Sequence, residues 1–302
     1  MKEMLRNGAI GTVREVHNWT NRPIWPQYND IPTDRPPVPK SFNWDLWLGP
    51  AAERSYHPHY THMVFRGWHD FGGGSIADMG NYSLWPIWMT LDLPAPNSVE
   101  AMSGAWVEMK NQMPGLKAND FSFPFANMIR FTFPGTPIVL TWYDGGLRPP
   151  TPVEVRGMAQ PPRMGSGTMY VGDKGIILGG QIYPEKLRAE YYQGRQQPQP
   201  KAKTAGARGA GGAGAQETWL VYFKGGRPDP GNLIDGANCA EGIALAGAAT
   251  RFARSRFAEE PLAATATGPM EYDTETMSFT NFPEANQYLV REYREGWNLT
   301  PA

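Results

Sequence analysis

The stretch PFANMIRFTFPGTPIVLTWY, residues 124–143, decides the fold class of this chain. Apolar and polar residues alternate through 124–133 and 137–143, which is the pattern of strands with one buried face, and Pro134-Gly135 supplies a turn between them. Two strands joined by so short a turn must run antiparallel. Further strand candidates follow the same pattern at 12–20, 97–108, 168–172 and 175–179. The sequence therefore predicts an antiparallel meander of consecutive strands.

Several helical segments accompany these strands. The longest are predicted at 75–91, 236–256 and 283–295, with shorter ones at 1–8 and 216–224. Separate runs of strands and helices favour an α+β fold, here an open-faced, predominantly antiparallel sheet with helices on one face. We expect a single domain over 1–302, with a flexible Gly/Ala/Pro-rich loop at 193–216. The exposed face of such a sheet predicts a homo-oligomer, with a second copy as its cover.

The helix predicted at 75–91 has readable ends. Ser75 with Asp78 three residues later is typical of a helix N-terminal cap, and Pro86 predicts a kink or a break. Gly72, Gly73 and Gly74 precede this helix, a weak indication of a phosphate site at its N-terminus.

Composition narrows the functional classes. With a net charge of -1 over 302 residues, the chain gives no electrostatic reason to bind nucleic acid or an anionic membrane. The single Cys239 excludes an internal disulfide and a cysteine-based zinc site. The absence of a signal peptide in these residues favours the cytoplasm, and an export signal upstream is left open. The 11 tryptophans exceed the usual need of a core and suggest aromatic contacts with a ligand.

Several longer motifs resemble the C-terminal half of the Gfo/Idh/MocA family, named for glucose–fructose oxidoreductase and inositol dehydrogenase. The motifs, in chain order, are GAIGTVREVHNWTNRPIWPQ, FNWDLWLGPAAERSYHPHY, RGWHDFGGGSIADMGN, LTWYDGG, YVGDKG and FPEANQYLVREYREGW. The resemblance implies a sugar substrate, the same open antiparallel sheet, and bacterial relatives that degrade carbohydrates. It also implies that the Rossmann domain, which binds NAD(P) in this family, is missing from the chain, so that a partner or a missing segment would supply it.

The resemblance also points to the helix at 75–91 as the catalytic element. In the family an Asp and, four residues later, a His surround the reacting carbon of the sugar, and here these positions are Asp78 and Tyr82. Four residues make one helical turn, so the two side chains share a face. The departure from His to Tyr82 removes the family's acid–base residue. We predict that Asp78 and Tyr82, with His69 and Asp70 as further acid–base candidates, form the catalytic group.

Aromatic residues next to polar groups are the predicted sugar contacts, because the C–H face of a pyranose is apolar and its hydroxyls need partners. The predicted substrate-binding residues are Arg22, Trp25, Gln27, Arg66, Trp68, Asn81, Trp142, Tyr143 and Asp144.

Histidines clustered before the helix suggest a second chemistry. His57, His59 and His62 lie close together in the sequence and are candidate ligands for a divalent metal, although their spacing matches no standard zinc motif.

Three hypotheses remain open on the sequence. The first is a carbohydrate-binding domain of the oxidoreductase family, without its own nicotinamide site and acting on a sugar, keto-sugar or glycoside. The second is an NAD-independent glycoside hydrolase or lyase that uses a metal or no cofactor. The third is an oligomerisation module, or a piece of a longer dehydrogenase, with no catalysis of its own.

Overall fold

A large mixed sheet with helices against it forms the fold. The computed structural model of this protein describes residues 1–117, 119–158, 165–196, 220–221, 223–225, 233–259 and 267–297. The helices are α1 (Lys2–Arg6), α2 (Trp44–Leu48), α3 (Gly74–Ser83), α4 (Trp85–Leu91), α5 (Glu185–Tyr192) and α6 (Leu233–Glu259). Short 3-10 helices cover Pro58–Tyr60, His62–Gly67, Val153–Val155 and Pro283–Tyr288.

Nine strands make the main sheet and two form a separate hairpin. The strands are β1 (Val13–Trp19), β2 (Ser98–Ser103), β3 (Val107–Lys110), β4 (Met113–Leu116), β5 (Asn127–Thr132), β6 (Val139–Tyr143), β7 (Gly167–Gly172), β8 (Ile176–Leu178), β9 (Gln181–Tyr183), β10 (Met270–Asp273) and β11 (Ser278–Phe279). Their order in the sheet is β11-β10-β2-β5-β6-β1-β7-β8-β9, and β3 pairs with β4 outside it. The α+β prediction with a mostly antiparallel sheet is confirmed.

The strand order corrects the predicted meander at one place. β1 lies between β6 and β7 and runs parallel to β6, with Val16 beside Leu140, while every other pair in the sheet is antiparallel. Alternation of apolar residues identifies a strand and not its neighbour. The long connection between β6 and β7 leaves a gap between them, and β1 fills it.

The main core lies on the face of the sheet that α3, α4 and α6 cover. Val16, Phe131, Leu140 and Trp142 point to this face and are buried among Ile87, Trp88 and Phe252 of the helices. A smaller core of Trp19, Tyr143, Val155, Met169, Ile176, Leu178 and Tyr183 forms on the opposite face near β7 and β8. Because successive side chains of a strand point to opposite faces of the sheet, the neighbours Trp142 and Tyr143 belong to different cores.

The rest of the opposite face carries polar and charged residues. Arg130 pairs with Glu100 across β5 and β2, and His17 lies between Glu15 and the hydroxyl of Tyr143. The homo-oligomer predicted through this face stays a prediction.

The helix predicted at 75–91 is two helices. α3 ends before Leu84, and Pro86 lies in the first turn of α4, where its missing N–H costs nothing, so the predicted break is confirmed. The predicted cap is wrong. Gly73 is the N-cap of α3 and no side chain bonds to the first turn.

The C-terminal helix predicted at 283–295 is also wrong beyond its first turns, because the chain forms a 3-10 helix at Pro283–Tyr288 and then continues without helix. The loop predicted at 193–216 and the helix predicted at 216–224 lie mostly outside the described residues. None of the described helices has the length and apolar character needed to cross a bilayer.

Candidate functional site

An ion pair between Arg66 and Asp78 joins two of the predicted residues. Arg66 lies in the last turn of the 3-10 helix His62–Gly67, and its Nε donates to Asp78 Oδ1 of α3 at 2.7 Å. The Asp78 side chain is 20% exposed and that of Arg66 is 33% exposed, so solvent and ligands reach the pair. A Cβ on Gly72 would lie 2.6 Å from the Cα of Arg66. The glycine loop can therefore pass close enough to bring the two residues together.

Trp25 and Phe65 hold the guanidinium of Arg66 in place. Its central carbon lies 4.8 Å from the ring centroid of Phe65 and 5.7 Å from that of Trp25, within the range of a cation–π contact. Trp25 is only 4% exposed and its Nε1 has no hydrogen-bond partner. The prediction that a sugar stacks on Trp25 is therefore wrong, since Arg66 covers the ring.

Gln27 packs between Pro124 and Gly67, next to this arrangement. Its Nε2 donates to the carbonyl of Pro124 at 3.2 Å, and a Cβ on Gly67 would overlap its Oε1. Gln27 is 8% exposed and packs within the Pro-rich loop 22–43, and its contact with substrate stays a prediction.

Asn81 and Tyr82 continue the same face of α3. They follow Asp78 by three and four residues, the spacing that places side chains side by side along a helix. Tyr82 is 76% exposed, and Asn81 is exposed with its Nδ2 on the carbonyl of Ala77 at 3.2 Å. Asp78 Oδ2 makes no hydrogen bond with any described residue. The helix thus presents a carboxylate, an amide and a phenol beside a guanidinium.

The predicted catalytic residue Asp70 does not join this group. It forms an ion pair with Arg54, whose guanidinium also lies 5.3 Å from the ring centroids of Tyr60 and Phe71. Because this pair is partly buried and enclosed by two rings, Asp70 is held in a structural contact.

His69 is also unsuited to the predicted acid–base role. Its Nε2 is buried without a partner, and its ring packs 4.1 Å from that of Phe123. Burial, with Arg251 and Arg254 nearby, holds the pKa of His69 well below its usual range. The imidazole is therefore neutral at physiological pH.

The three candidate metal ligands do not converge. His57 accepts the backbone N–H of His59 on Nδ1 at 3.1 Å and places Nε2 3.3 Å from Asp34, while His62 is exposed. His59 stacks on Tyr28 with ring centroids 4.3 Å apart. Within the described residues, no group of three or more His, Cys, Asp or Glu side chains is placed to hold a metal. His57 and His59 lie side by side, with ring centroids 4.2 Å apart, and the metal site at these histidines stays a prediction.

Four further predicted sugar contacts lie inside the protein. Trp68, Trp142 and Asp144 are fully buried, and Tyr143 is 8% exposed with its hydroxyl 3.1 Å from His17 Nδ1. Their contact with a sugar stays a prediction, which this burial does not support. On β6, alternation places Trp142 and Tyr143 in the cores on opposite faces of the sheet.

Arg22 is the remaining predicted contact. Its carbonyl accepts the N–H of Gly145 at 2.6 Å, which ties the start of the Pro-rich loop to the end of β6. The structure does not bring Arg22 into contact with Arg66 or Asp78 within the described hydrogen bonds and ion pairs.

Among the described carboxyl groups, that of Asp144 has the pKa furthest from its usual value. Its Oδ1 accepts the backbone N–H of Asn127 at 2.6 Å and its Oδ2 accepts Trp142 Nε1 at 3.1 Å. Burial outweighs these bonds and raises the pKa of Asp144 to about 7.

Sequence reasoning missed a cleft on the other side of the glycine loop. It has a volume of about 360 Å³ and lies between the start of α3 and α6, with Arg251, Tyr288 and His69 in its wall. Tyr288 lies within the motif FPEANQYLVREYREGW, which was an available signal. Arg251 is one of three arginines in the segment 251–256 of α6, and nothing in the sequence distinguished it from Arg254 and Arg256.

The glycines 72–74 do not form the turn of a dinucleotide-binding unit. A 3-10 helix and a short loop precede them, where such a unit needs a parallel strand. These glycines therefore do not form the phosphate-binding turn of a nicotinamide site.

The comparisons with known proteins agree with the motifs. Residues 3–109 match the family model described as oxidoreductase family, C-terminal alpha/beta domain, of the Gfo/Idh/MocA proteins. No curated protein matches the sequence.

Solved structures show a looser likeness. An oxidoreductase from Thermotoga maritima is 13% identical, with 82% of this chain and 53% of that chain covered and a TM-score of 0.37. An aldose-aldose oxidoreductase from Caulobacter crescentus, in complex with glycerol, is 15% identical, with 85% and 57% covered and the same TM-score of 0.37. The chain thus spans little more than half the length of these proteins, and no residue role is transferred from them. Residues 3–109 of this chain are therefore similar to the C-terminal alpha/beta domain of the Gfo/Idh/MocA oxidoreductases.

Proposed function

We propose that the chain is the substrate-side domain of a Gfo/Idh/MocA-type oxidoreductase and that it binds a sugar or keto-sugar on the exposed face of α3. The observation that carries the proposal is the solvent-accessible Arg66–Asp78 pair beside the exposed Tyr82 and Asn81. We call these four residues the α3 face.

The groups of the α3 face suit a polyol. Asp78 Oδ2 can accept a hydroxyl proton, while Arg66 and the amide of Asn81 donate to neighbouring hydroxyl oxygens. The phenol ring of Tyr82 offers an apolar surface to the C–H face of a pyranose, with its hydroxyl at the edge. Sugar recognition requires this combination of one apolar plane and several hydrogen-bonding groups around it.

Redox chemistry needs a hydride acceptor in addition to the α3 face. Since the glycines 72–74 do not form a dinucleotide-binding turn, we propose that a domain outside the described residues, or a partner, supplies NAD(P). In such an assembly Asp78 and Tyr82 orient the carbinol, because they stand at the positions that the family resemblance marks for this role.

Isothermal titration of the chain with a panel of hexoses, inositols and sugar acids tests the proposal. We expect saturable binding of at least one member, a loss of at least tenfold in affinity for Tyr82→Ala, and a similar loss for Asp78→Asn. Tyr293→Ala is the matched control, since Tyr293 is an exposed tyrosine outside the α3 face, and it should retain the affinity of the unmodified chain.

Three other results would contradict the proposal. Equal losses in all three variants would place the ligand elsewhere, and turnover of a chromogenic glycoside without NAD(P) would favour the hydrolase or lyase hypothesis. Binding of NAD(H) to the isolated chain would mean that the cofactor site lies within it.

A further inference from the structure

A cationic cleft lies between α3 and α6, apart from the α3 face. The cleft of about 360 Å³ adjoins a wider one of about 720 Å³, and both include His69, Gly72, Arg251 and Tyr288 in their walls. These four residues form the boundary that the two clefts share.

Arg251 is the unusual member of this wall. It makes no ion pair and no hydrogen bond with any described residue, and its Nε is buried without a partner. Its guanidinium carbon lies 5.0 Å from the ring centroid of Tyr288, which fixes the side chain in place. By contrast, Arg254, one turn further on the same helix, donates to the carbonyls of Asn119 and Gly104. A buried donor without an acceptor is costly, so an acceptor is expected at Arg251.

His69 is the neutral member of this wall. One side of its ring is hydrogen-bonded to the backbone of Ser122, and its Nε2 is buried and bonds to no described residue. The side chain lines both clefts beside Arg251 without adding positive charge, so the guanidinium of Arg251 is the cation of the shared wall.

The start of α3, like Arg251, presents positive charge to the cleft. Gly72 and Gly73 line the smaller cleft, Gly73 is the N-cap, and no side chain caps the first turn, which also contains no acidic residue. Ser75 in this turn is 2% exposed and its Oγ has no partner. The first N–H groups of a helix carry a partial positive charge that favours an anion.

The acidic residues near the wider cleft do not neutralise this wall. Asp70 is paired with Arg54, and its carbonyl accepts Arg291. Glu292 is exposed at the rim and forms no ion pair with a described residue.

We propose that this cleft is a binding site for a small oxyanion, the phosphate or carboxylate group of a metabolite, with Arg251 as its main ligand and His69 and the start of α3 beside it. The site is independent of the α3 face, because no residue that carries one proposal carries the other.

Titration with inorganic phosphate and with acetate, at pH 7.5 and constant ionic strength in chloride, tests the site. We expect saturable binding of at least one of the two, and the stronger ligand identifies the group. Arg251→Gln should weaken it at least tenfold, whereas Arg256→Gln should change it by less than twofold. Arg256 is the matched control because it lies on the same helix, carries the same charge and also contacts aromatic rings.

A second pair of variants keeps the test valid if Arg251→Gln does not fold. Ala244 and Ala237 are exposed residues of α6, and only Ala244 lines this cleft. Ala244→Glu should abolish binding by repulsion, and Ala237→Glu should leave it within twofold. The proposal is overturned if neither anion binds in a saturable way, or if the control variants lose as much affinity as the cleft variants.

Discussion

Replacement of Asp144 by Asn should change how the stability of the protein depends on pH. Asp144 is fully buried, and burial raises its pKa to about 7, while an Asp in an unfolded chain titrates near 4. Between these values the folded protein holds a proton that the unfolded chain releases. Folding therefore binds more protons in this range, and the free energy of unfolding falls as pH rises from about 4 to 7.

The shift gives the size of the effect. Three pKa units correspond to about 4 kcal/mol, which is the stability lost through Asp144 between pH 4 and pH 8. Asn cannot ionise, so Asp144→Asn removes this loss. A fixed cost of about 1–3 kcal/mol accompanies the change, because the new amide N–H₂ must face the donors on Asn127 or Trp142.

Urea denaturation followed by tryptophan fluorescence, from pH 4.5 to 8.5, measures this directly. The stability of Asp144→Asn relative to the unmodified protein should rise by about 3 kcal/mol across the series, whatever its starting value, because the rest of the change occurs below pH 4.5. Asp273→Asn is the control, since hydrogen bonds lower the pKa of the exposed Asp273 below its usual value near 4, and its relative stability should stay nearly constant from pH 4.5 to 8.5. A relative stability of Asp144→Asn that stays constant with pH would refute the reasoning.

Two other predictions test the packing. Gly172→Ala should lower the free energy of unfolding by about 2 kcal/mol or more, because a Cβ there would overlap the carbonyl oxygen of Ile10, while Gly104→Ala, with nothing within 4 Å, should be nearly neutral in the same urea titration. Cys239 is only 2% exposed, and burial raises the pKa of its thiol to about 12. The thiol should therefore resist Ellman's reagent at pH 8 until the protein unfolds. Rapid labelling of the native protein would contradict this burial.

The sequence predicted the central strands and the long helix α6, and it missed β9, β10, β11 and α5. The strands around Pro134-Gly135 were readable because alternation of apolar and polar residues marks each of them. The position of β1 beside β6 was not readable, since pairing between strands more than 100 residues apart depends on which gaps the other strands leave.

The site was predicted in part. The family resemblance pointed to α3, and there the sequence placed Asp78, Asn81 and Tyr82 correctly on one face. Aromatic and polar neighbours on β6 looked like a sugar site, but alternation sends Trp142 and Tyr143 into cores on opposite faces. The partners of Arg66 and Arg251 depend on contacts between distant segments, which no local pattern encodes.

The most direct test of the central claim is to observe the sugar at Tyr82. Carbon-13 labelling of the tyrosine rings, with Tyr82→Phe to assign the signal, allows each ring to be followed by NMR as the best-binding sugar is added. The account predicts that the Tyr82 signal shifts with the binding curve, while the buried Tyr143 stays unchanged. A Tyr82 signal that remains in place at saturating sugar would contradict the account.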